Sequence, residues 1–471
     1  VNSAVGAGSW GEGGGRGGRH AVVVGGSLAG LLAAHVLAGH ADRVTVVERD
    51  RFPDGTGARA GVPQGRHPHV LLQGGQLALD SLLPGFLAEL GEAGAPRVGL
   101  PSNLVLWQQG RWIRRVPPST HIYTGSRAQL EGLVRRRVLA NPVISVVEGS
   151  DAVGLLGDAS RVRGVLLRDR SEGAGAEQRS LAADLVVDAS GSGTKAPQWL
   201  AAIGAGAAHE ETIDTGIAYA SRVYRGKDGA LGDGTLGFYV YPNPDHVHAG
   251  GALPLEDGSH LVIISGLRGD EPPTGDAEFE TYAKRLGHPL LDRWIESAEP
   301  LSPAFGYRRT GNVRRRYDLA DRLPAGFLAT GDALCTFNPI YGQGMAVAAM
   351  SAVALRDALA DRRRTPTTRR VQRALLGASR LAWDISAGAD RRMPGVVGNA
   401  VVADKAGDRV AEWYLGRVTE RSPGDPVVGR AFRAVLTLSE PVTALFAPAV
   451  ARAVLLGPPS PTPAEPQEAP E

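Results

Sequence analysis

The stretch AVVVGGSLAGLLAAHVL, residues 21–37, limits the possible folds more than any other part of the chain. Its apolar run ending in glycine reads as a buried strand, and the apolar spacing from Leu28 onward reads as a helix. Between the two lies Gly25-Gly26-Ser27-Leu28-Ala29-Gly30. The dinucleotide-binding turn has the pattern GxGxxG, and here Ser27 stands at the second glycine. Gly25 permits the tight turn, and Gly30 lets helix and strand pack closely. Ser27 still allows close approach and adds a hydroxyl. The helix start then offers free N–H groups and a positive dipole end to a pyrophosphate. A second strand, 44–48, ends in Glu48, where an acidic residue accepts hydrogen bonds from a ribose, and Arg49 follows at the same strand end. A glycine-rich turn in some other α/β protein is the plainer alternative; it does not account for Glu48.

The bulk properties narrow the class. At 471 residues the chain is long enough for two or three domains. A formal net charge of +2 gives no reason to expect a nucleic-acid partner. The arginine triplets 135–137, 314–316 and 362–364 read as solvated faces or ion-pair partners. Cys335 is the single cysteine, so no internal disulfide forms, and a small buried residue is the expected role. No run of about 18 apolar residues predicts a spanning helix. With no signal-like apolar core near the start, the expected location is cytoplasmic. The pairs His67/His69 and His246/His248 lack a Cys or acidic cluster, so no metal site is expected.

Residues 1–18, rich in glycine, and the Pro- and Glu-rich tail 457–471 are expected to be disordered. Between them, strands are predicted at 20–25, 44–48, 143–148 and 181–188, with helices at 28–38 and 126–139. The segments 152–156 and 162–168 read as a meander across the turn 157–160. From 212 to 269, short alternating strands suggest an antiparallel sheet inserted into the first domain. A buried strand returns at 327–330, and the chain is mostly helical from 342 to 456. The predicted fold class is therefore α/β: a Rossmann-like domain (19–200 and 301–365), an inserted antiparallel substrate domain (201–300), and a helical C-terminal region (366–456).

A second ligand-facing segment is GFLATGDALCTFNPIYGQGMAVAAM, residues 326–350. Its strand delivers Gly331-Asp332 at the carboxyl end, where ligands of α/β sheets bind. Asp332 suits a hydrogen bond from a sugar-alcohol hydroxyl. Pro339 and Gly342-Gln343-Gly344-Met345 lead into a helix whose N-terminus favours the anionic edge of an electron-rich ring. A Pro-Gly loop that merely caps a helix is the alternative.

Together, the Gly25–Gly30 turn, Glu48, Arg127 in SRAQLE, Gly331-Asp332 and the Pro339–Met345 loop resemble the class A flavin-dependent monooxygenases of the aromatic-hydroxylase fold. The resemblance covers about residues 21–360. It implies bound FAD, NADPH or NADH as reductant, and a C4a-hydroperoxyflavin as oxygen donor. By position, Arg127 matches the arginine that opens a helix near flavin and pyrophosphate. One departure concerns a second family fingerprint, GADG: the matching stretch is Asp188-Ala189-Ser190-Gly191, with serine for the aspartate linked to flavin and nicotinamide contacts.

A narrower likeness rests on GVPQGRHPHVLL (61–72), ADLVVDASGSG, DTGIAYASRVYR and CTFNPIYGQGM, which are similar to the flavin epoxidases of polyether-polyketide biosynthesis. It implies that Gln64, Arg66 and His67 lie on a loop beside the flavin ring, with Pro339 also near it. Arg66 pairing with a carboxylate, and His67 and His69 capping the following helix, are the structural alternatives. Epoxidation needs a dry apolar pocket and no essential side-chain base, whereas phenol hydroxylation needs a residue to deprotonate the phenol. Tyr219, Tyr239 and Tyr241 could line such a pocket or pack across strands. The apolar stretch 435–456 could roof it or pack on the core. Trp107 and Trp112 lack the spacing of the flavin halogenases. The expected activity is epoxidation of C=C bonds in a bulky apolar polyketide or terpenoid of antibiotic-type secondary metabolism, with O2 as co-substrate. An aromatic hydroxylase and a flavin-dependent prenyl or alkene reductase remain as alternatives.

Overall fold

The computed structural model describes residues 18–470 except 56–58, 60, 62, 172–176, 207, 228, 287, 321–322, 401–407 and 468–469. Apart from Gly18, the glycine-rich start expected to be disordered lies outside the described residues.

A five-stranded parallel sheet forms the frame. Strand β1 (His20–Val24) lies at its centre, followed by helix α1 (Leu28–Leu37), β2 (Arg43–Val47), α2 (Arg127–Leu139), β3 (Ile144–Val147), β4 (Leu185–Asp188) and β5 (Phe327–Ala329). The spatial order is β5-β4-β1-β2-β3, with Val22 opposite Val186 and Thr45. All five residues of β1 are buried, as expected of a strand covered on both faces. The outer strand β5 is protected by helix α4 (Thr368–Asp390). Gln372 on α4, fully buried, accepts from Ala329 N–H at 2.9 Å and donates to Ala329 C=O at 3.0 Å. An edge that would otherwise expose ladder groups is thus closed by a side chain. Helix α3 (Gly344–Ala360) lies between and packs against α1 and α4.

The predicted meander is present as Ser150–Gly157 and Val162–Asp169, and a third strand, Gln178–Ala182, completes it. The antiparallel substrate sheet is larger than its predicted segment. It orders Glu299–Pro300, Ala218–Arg225, His260–Gly266, Ala249–Pro254, Gly237–Val240, Leu104–Gln108 and Arg111–Trp112, with Phe305–Tyr307 also paired to Ala218–Arg225. Three of these strands, Leu104–Gln108, Arg111–Trp112 and Phe305–Tyr307, come from residues that the sequence assigned to the Rossmann-like domain. Leu104–Gln108 pairs in parallel with Gly237–Val240, so the insertion is built from two separate excursions. The far face of this sheet has its own core, with Tyr224, Phe238, Phe279 and Trp294 beneath two short helices.

The C-terminal helices Asp408–Arg421, Pro426–Leu436 and Pro448–Leu456 pack around Tyr414, Val418, Val428, Val435 and Val454. The tail does not match the expected disorder in its described part. It has neither helix nor strand, yet Arg115 donates to Gln467 C=O at 2.7 Å and Arg114 to Pro461 C=O at 3.1 Å. Proline-rich chain costs little entropy to lay down in extended form, and Arg421, which donates to Pro458 C=O, and His288, 3.2 Å from Glu465, hold it as well. No helix among the described residues is long and apolar enough to cross a membrane.

Candidate functional site

A single elongated cavity of about 980 Å³ runs from the carboxyl ends of β1 and β2 to the antiparallel sheet. Its walls include Gly25, Ser27, Leu28, Ala29, Glu48, Arg49, Arg127, Asp332, Pro339, Gly342, Gly344 and Met345, all singled out from sequence. The turn after β1 explains why glycines are needed. Gly25 has φ +105°, and a Cβ there would meet Ala189 C=O at 2.4 Å; a Cβ on Gly30 would meet Gly25 C=O at 1.8 Å. Gly30 therefore serves close packing and does not itself line the cavity.

A buried charge network supports the turn. Ser27 donates to Glu131 at 2.6 Å and accepts from Arg127 at 2.8 Å. Glu48 accepts from Gly26 N–H at 2.7 Å and Asp50 N–H at 2.9 Å, and pairs with Arg59 at 3.1 Å. Arg59 also pairs with Glu131, and Arg127 lies 3.5 Å from the same carboxylate. Arg59 and Glu131 were not identified from sequence. Glu131 carried a signal, since it sits one helical turn after Arg127; Arg59, on an irregular loop, carried none. The serine that replaces the family aspartate is not idle. Asp188, fully buried at the end of β4, accepts from Ser190 N–H at 3.0 Å, Ser190 Oγ at 2.5 Å and Thr194 Oγ1 at 2.5 Å. Burial raises its pKa and those donors oppose the rise.

The second wall starts at Asp332. Burial raises its pKa, opposed by Arg127 and Arg315, and no described donor hydrogen-bonds its carboxylate. Arg315 holds the turn beneath by donating to Ala333 C=O at 3.2 Å and pairing with Glu210 at 2.8 Å. The arginine triplet 314–316 is thus made of ion-pair partners, while Arg135 of another triplet is buried and donates to Gly55 C=O at 2.5 Å. The loop before α3 is fastened from behind. Asp390, 2% exposed, accepts from Asn312 at 2.6 Å, Asn338 at 3.0 Å and Tyr341 at 2.7 Å. Cys335 is buried, and burial pushes its thiol up to about 12, so it is not a thiolate nucleophile.

The far end is aromatic. Tyr219 and Ser221 share one face of the strand Ala218–Arg225, because side chains alternate. The register sets Tyr307 opposite Tyr219 and Phe305 opposite Ser221. The loop carrying Arg66 and His67 docks on this face. Arg66 stacks over Phe305 at 4.4 Å, and His67 Nδ1 lies 2.9 Å from Ser221 Oγ. The His67 ring meets Tyr219 edge-on at 4.8 Å and Tyr307 at 5.5 Å. Burial, with Arg66 adjacent, lowers His67 to about 4, so its imidazole is neutral at pH 7.

Several expectations change here. Arg66 is exposed and does not line the cavity; its partner is an aromatic face, not a carboxylate. Neither His67 nor His69 caps the following helix, which starts at Gln73 after Leu72; His69 is bonded to His67 C=O at 2.7 Å. Tyr239 and Tyr241 pack on each other at 4.8 Å and do not line the cavity, whereas Tyr219 does and Tyr307 joins it. The stretch 435–456 contributes no wall and packs with its neighbouring helices. The side chain of Gln64 lies outside the described residues.

The fit of a flavin dinucleotide is testable on these features. Two helix N-termini without side-chain caps, those of α1 and α3, border one cavity. Gln343 Oε1, at the start of α3, is buried without a partner. The glycine cradle admits backbone approach, and Asp332 is an acceptor awaiting a donor. The residues present therefore suit a long ligand with an anionic middle and hydroxyl groups beyond it.

No protein-family model matches this chain. Protein Rv3254 of Mycobacterium tuberculosis is 36% identical over 350 residues, covering 73% of each chain. Among solved structures, a flavoprotein/dehydrogenase from Cytophaga hutchinsonii superposes with a TM-score of 0.66 at 14% identity, over 93% of this chain and 99% of that one. The p-nitrophenol 4-monooxygenase of Pseudomonas putida gives 0.61 at 15% identity, over 89% and 97%. A probable FAD-dependent monooxygenase from Pseudomonas aeruginosa gives 0.58 at 18%, over 79% and 94%. At these identities the structural likeness carries the fold. The chain belongs to the family of Protein Rv3254 and has the fold on which class A flavin-dependent monooxygenases are built.

Proposed function

We propose that the protein is an FAD-dependent monooxygenase that uses NADPH or NADH and O2 to epoxidise C=C bonds of a bulky apolar polyketide or terpenoid. The observation that carries this reading is the single cavity joining a dinucleotide cradle to an aromatic chamber. When bound, FAD supplies the redox chemistry that activates O2. The chain's own residues do the rest. The Gly25–Gly30 turn and the start of α1 receive the pyrophosphate, steadied by Arg127 through Ser27. Glu48 and Arg49 face the adenosine end. Asp332 accepts from a ribityl hydroxyl. Pro339 and Gly342–Met345 support the ring, and the positive end of α3 favours its anionic edge. Tyr219, Tyr307 and His67 wall the chamber, place the alkene and keep water out.

The test is direct. Purified protein is expected to be yellow, with an absorbance band near ~450 nm. Alkene-stimulated NADPH or NADH oxidation should place ¹⁸O from labelled O2 in the product. Colourless protein that does not take up added FAD refutes every version. A turned-over product without label assigns the chain to alkene reduction instead.

A further inference from the structure

The aromatic end of the cavity carries a polar feature that an all-hydrocarbon substrate would leave unused. His67 is 4% exposed, and Nδ1 is engaged by Ser221 Oγ, itself fully buried. No described group hydrogen-bonds Nε2, and His67 lines the cavity. The same holds for the hydroxyls of Tyr219 and Tyr307, which stack at 5.3 Å beside it. Ring edges on two sides hold the imidazole in one orientation. A buried polar atom held in place without a partner costs stability unless a ligand supplies one. The ring is neutral at pH 7, so it carries one N–H and one lone pair, shared between Ser221 and the cavity.

We propose that His67 Nε2 anchors the substrate through a hydrogen bond to an oxygen, so that the substrate class is unsaturated alcohols or their ethers and not plain hydrocarbons. This rests on the monooxygenase reading for its account of the alkene, but the anchoring itself is a binding property. Ser221 sets the ring's tautomer: Nδ1–H donating to Ser221 makes Nε2 an acceptor for a substrate O–H, and Ser221 O–H donating to Nδ1 makes Nε2 a donor.

The experiment is calorimetric titration of the oxidised, FAD-loaded protein, without reductant, with farnesol, farnesyl methyl ether and farnesene. Farnesol is expected to bind roughly tenfold tighter than farnesene, the value of one net hydrogen bond. An ether that matches the alcohol shows that Nε2 carries the proton; an ether that falls to the level of farnesene shows that Nε2 accepts. Both support the anchor. His67→Phe should bring farnesol and its ether down to the affinity of farnesene, removing the roughly tenfold preference that one hydrogen bond supplies. Equal affinities for all three ligands in the wild-type protein overturn the proposal, and so does a variant that weakens all three alike or a failure of all three to bind. The wild-type series needs no variant to fold. Missing product label with an intact farnesol preference would remove the epoxidase reading and leave the anchor standing.

Discussion

Replacing Asp390 by alanine isolates what holds the loop between Asn338 and Gly342. Three separate donors, Asn312 Nδ2, Asn338 Nδ2 and Tyr341 Oη, converge on this carboxylate at 2.6–3.0 Å. The site is 2% exposed, so water does not readily replace the lost acceptor. Each stranded buried donor costs about 1–3 kcal/mol, and some relief comes from rotation of the Tyr341 hydroxyl and from water entering the void. The sum for Asp390→Ala is on the order of 3–6 kcal/mol of unfolding free energy. Asp390→Asn keeps one acceptor oxygen and nearly the same volume, so its cost is expected at about 1–2 kcal/mol. Urea denaturation followed by tryptophan fluorescence measures both, with an unchanged m-value as the condition for comparison. Because Pro339 and Gly342 line the cavity, the folded Asn variant should also bind FAD several-fold more weakly in a quenching titration. Equal costs below about 1 kcal/mol for both substitutions would refute the claim that this carboxylate fastens the loop.

Three further outcomes follow from the same geometry. His67 has its pKa lowered to about 4 from 6.5, so between those values the unfolded chain binds the proton that the folded chain rejects. Stability from this group is present above about pH 6.5 and is lost as pH falls toward 4, by roughly 3 kcal/mol. His67→Phe should therefore reduce proton uptake on unfolding near pH 5 by about one, read from the pH dependence of the urea midpoint; an unchanged dependence contradicts the buried neutral imidazole. Gly25→Ala places a Cβ 2.4 Å from a backbone carbonyl at φ +105° and should abolish FAD retention through gel filtration, while Gly26→Ala, whose Cβ meets movable side chains first, should keep part of it. Ser27→Ala removes the hydroxyl that bridges Arg127 and Glu131, leaving only their direct contact at 3.5 Å, and is expected to weaken FAD binding about tenfold, a loss of one or two charge-assisted hydrogen bonds.

Local signals made the nucleotide half of the site readable. A tight turn needs glycine whatever surrounds it, and a buried strand needs an apolar run, so β1, α1 and β2 followed from residues within thirty positions of one another. The aromatic chamber obeyed no such rule. His67 is set by Ser221, 154 residues away, and Leu104–Gln108 joins the substrate sheet by pairing with Gly237–Val240. Alternation along the strand Gly237–Val240 is equally satisfied by a wall or by a core, which is why the sequence left Tyr239 open between the two; it is a packing residue. Strand pairing across the sheet decided it, and pairing is a non-local property.

The charges around the cavity lead to a last prediction, about how an anionic ligand arrives. Inside, Glu48 and Glu131 face Arg59 and Arg127, so the buried network is close to neutral and serves shape more than attraction. The rim differs. Arg49, Lys195, Arg308 and Arg309 line the cavity, are exposed, and form no ion pair among the described residues. Free cations at a mouth raise the local concentration of an anion and speed its capture, and salt screens this over about 10 Å at 0.1 M. The association rate of FAD with apoprotein should thus fall several-fold between 20 mM and 500 mM NaCl, whereas the dissociation rate, governed by the screened interior contacts, should change little. Removing Lys195 and Arg308 together should flatten that salt dependence without altering the spectrum of the bound flavin. A dissociation rate that carries the whole salt effect would place the attraction in the buried network instead, and the rim would then be an ordinary solvated surface.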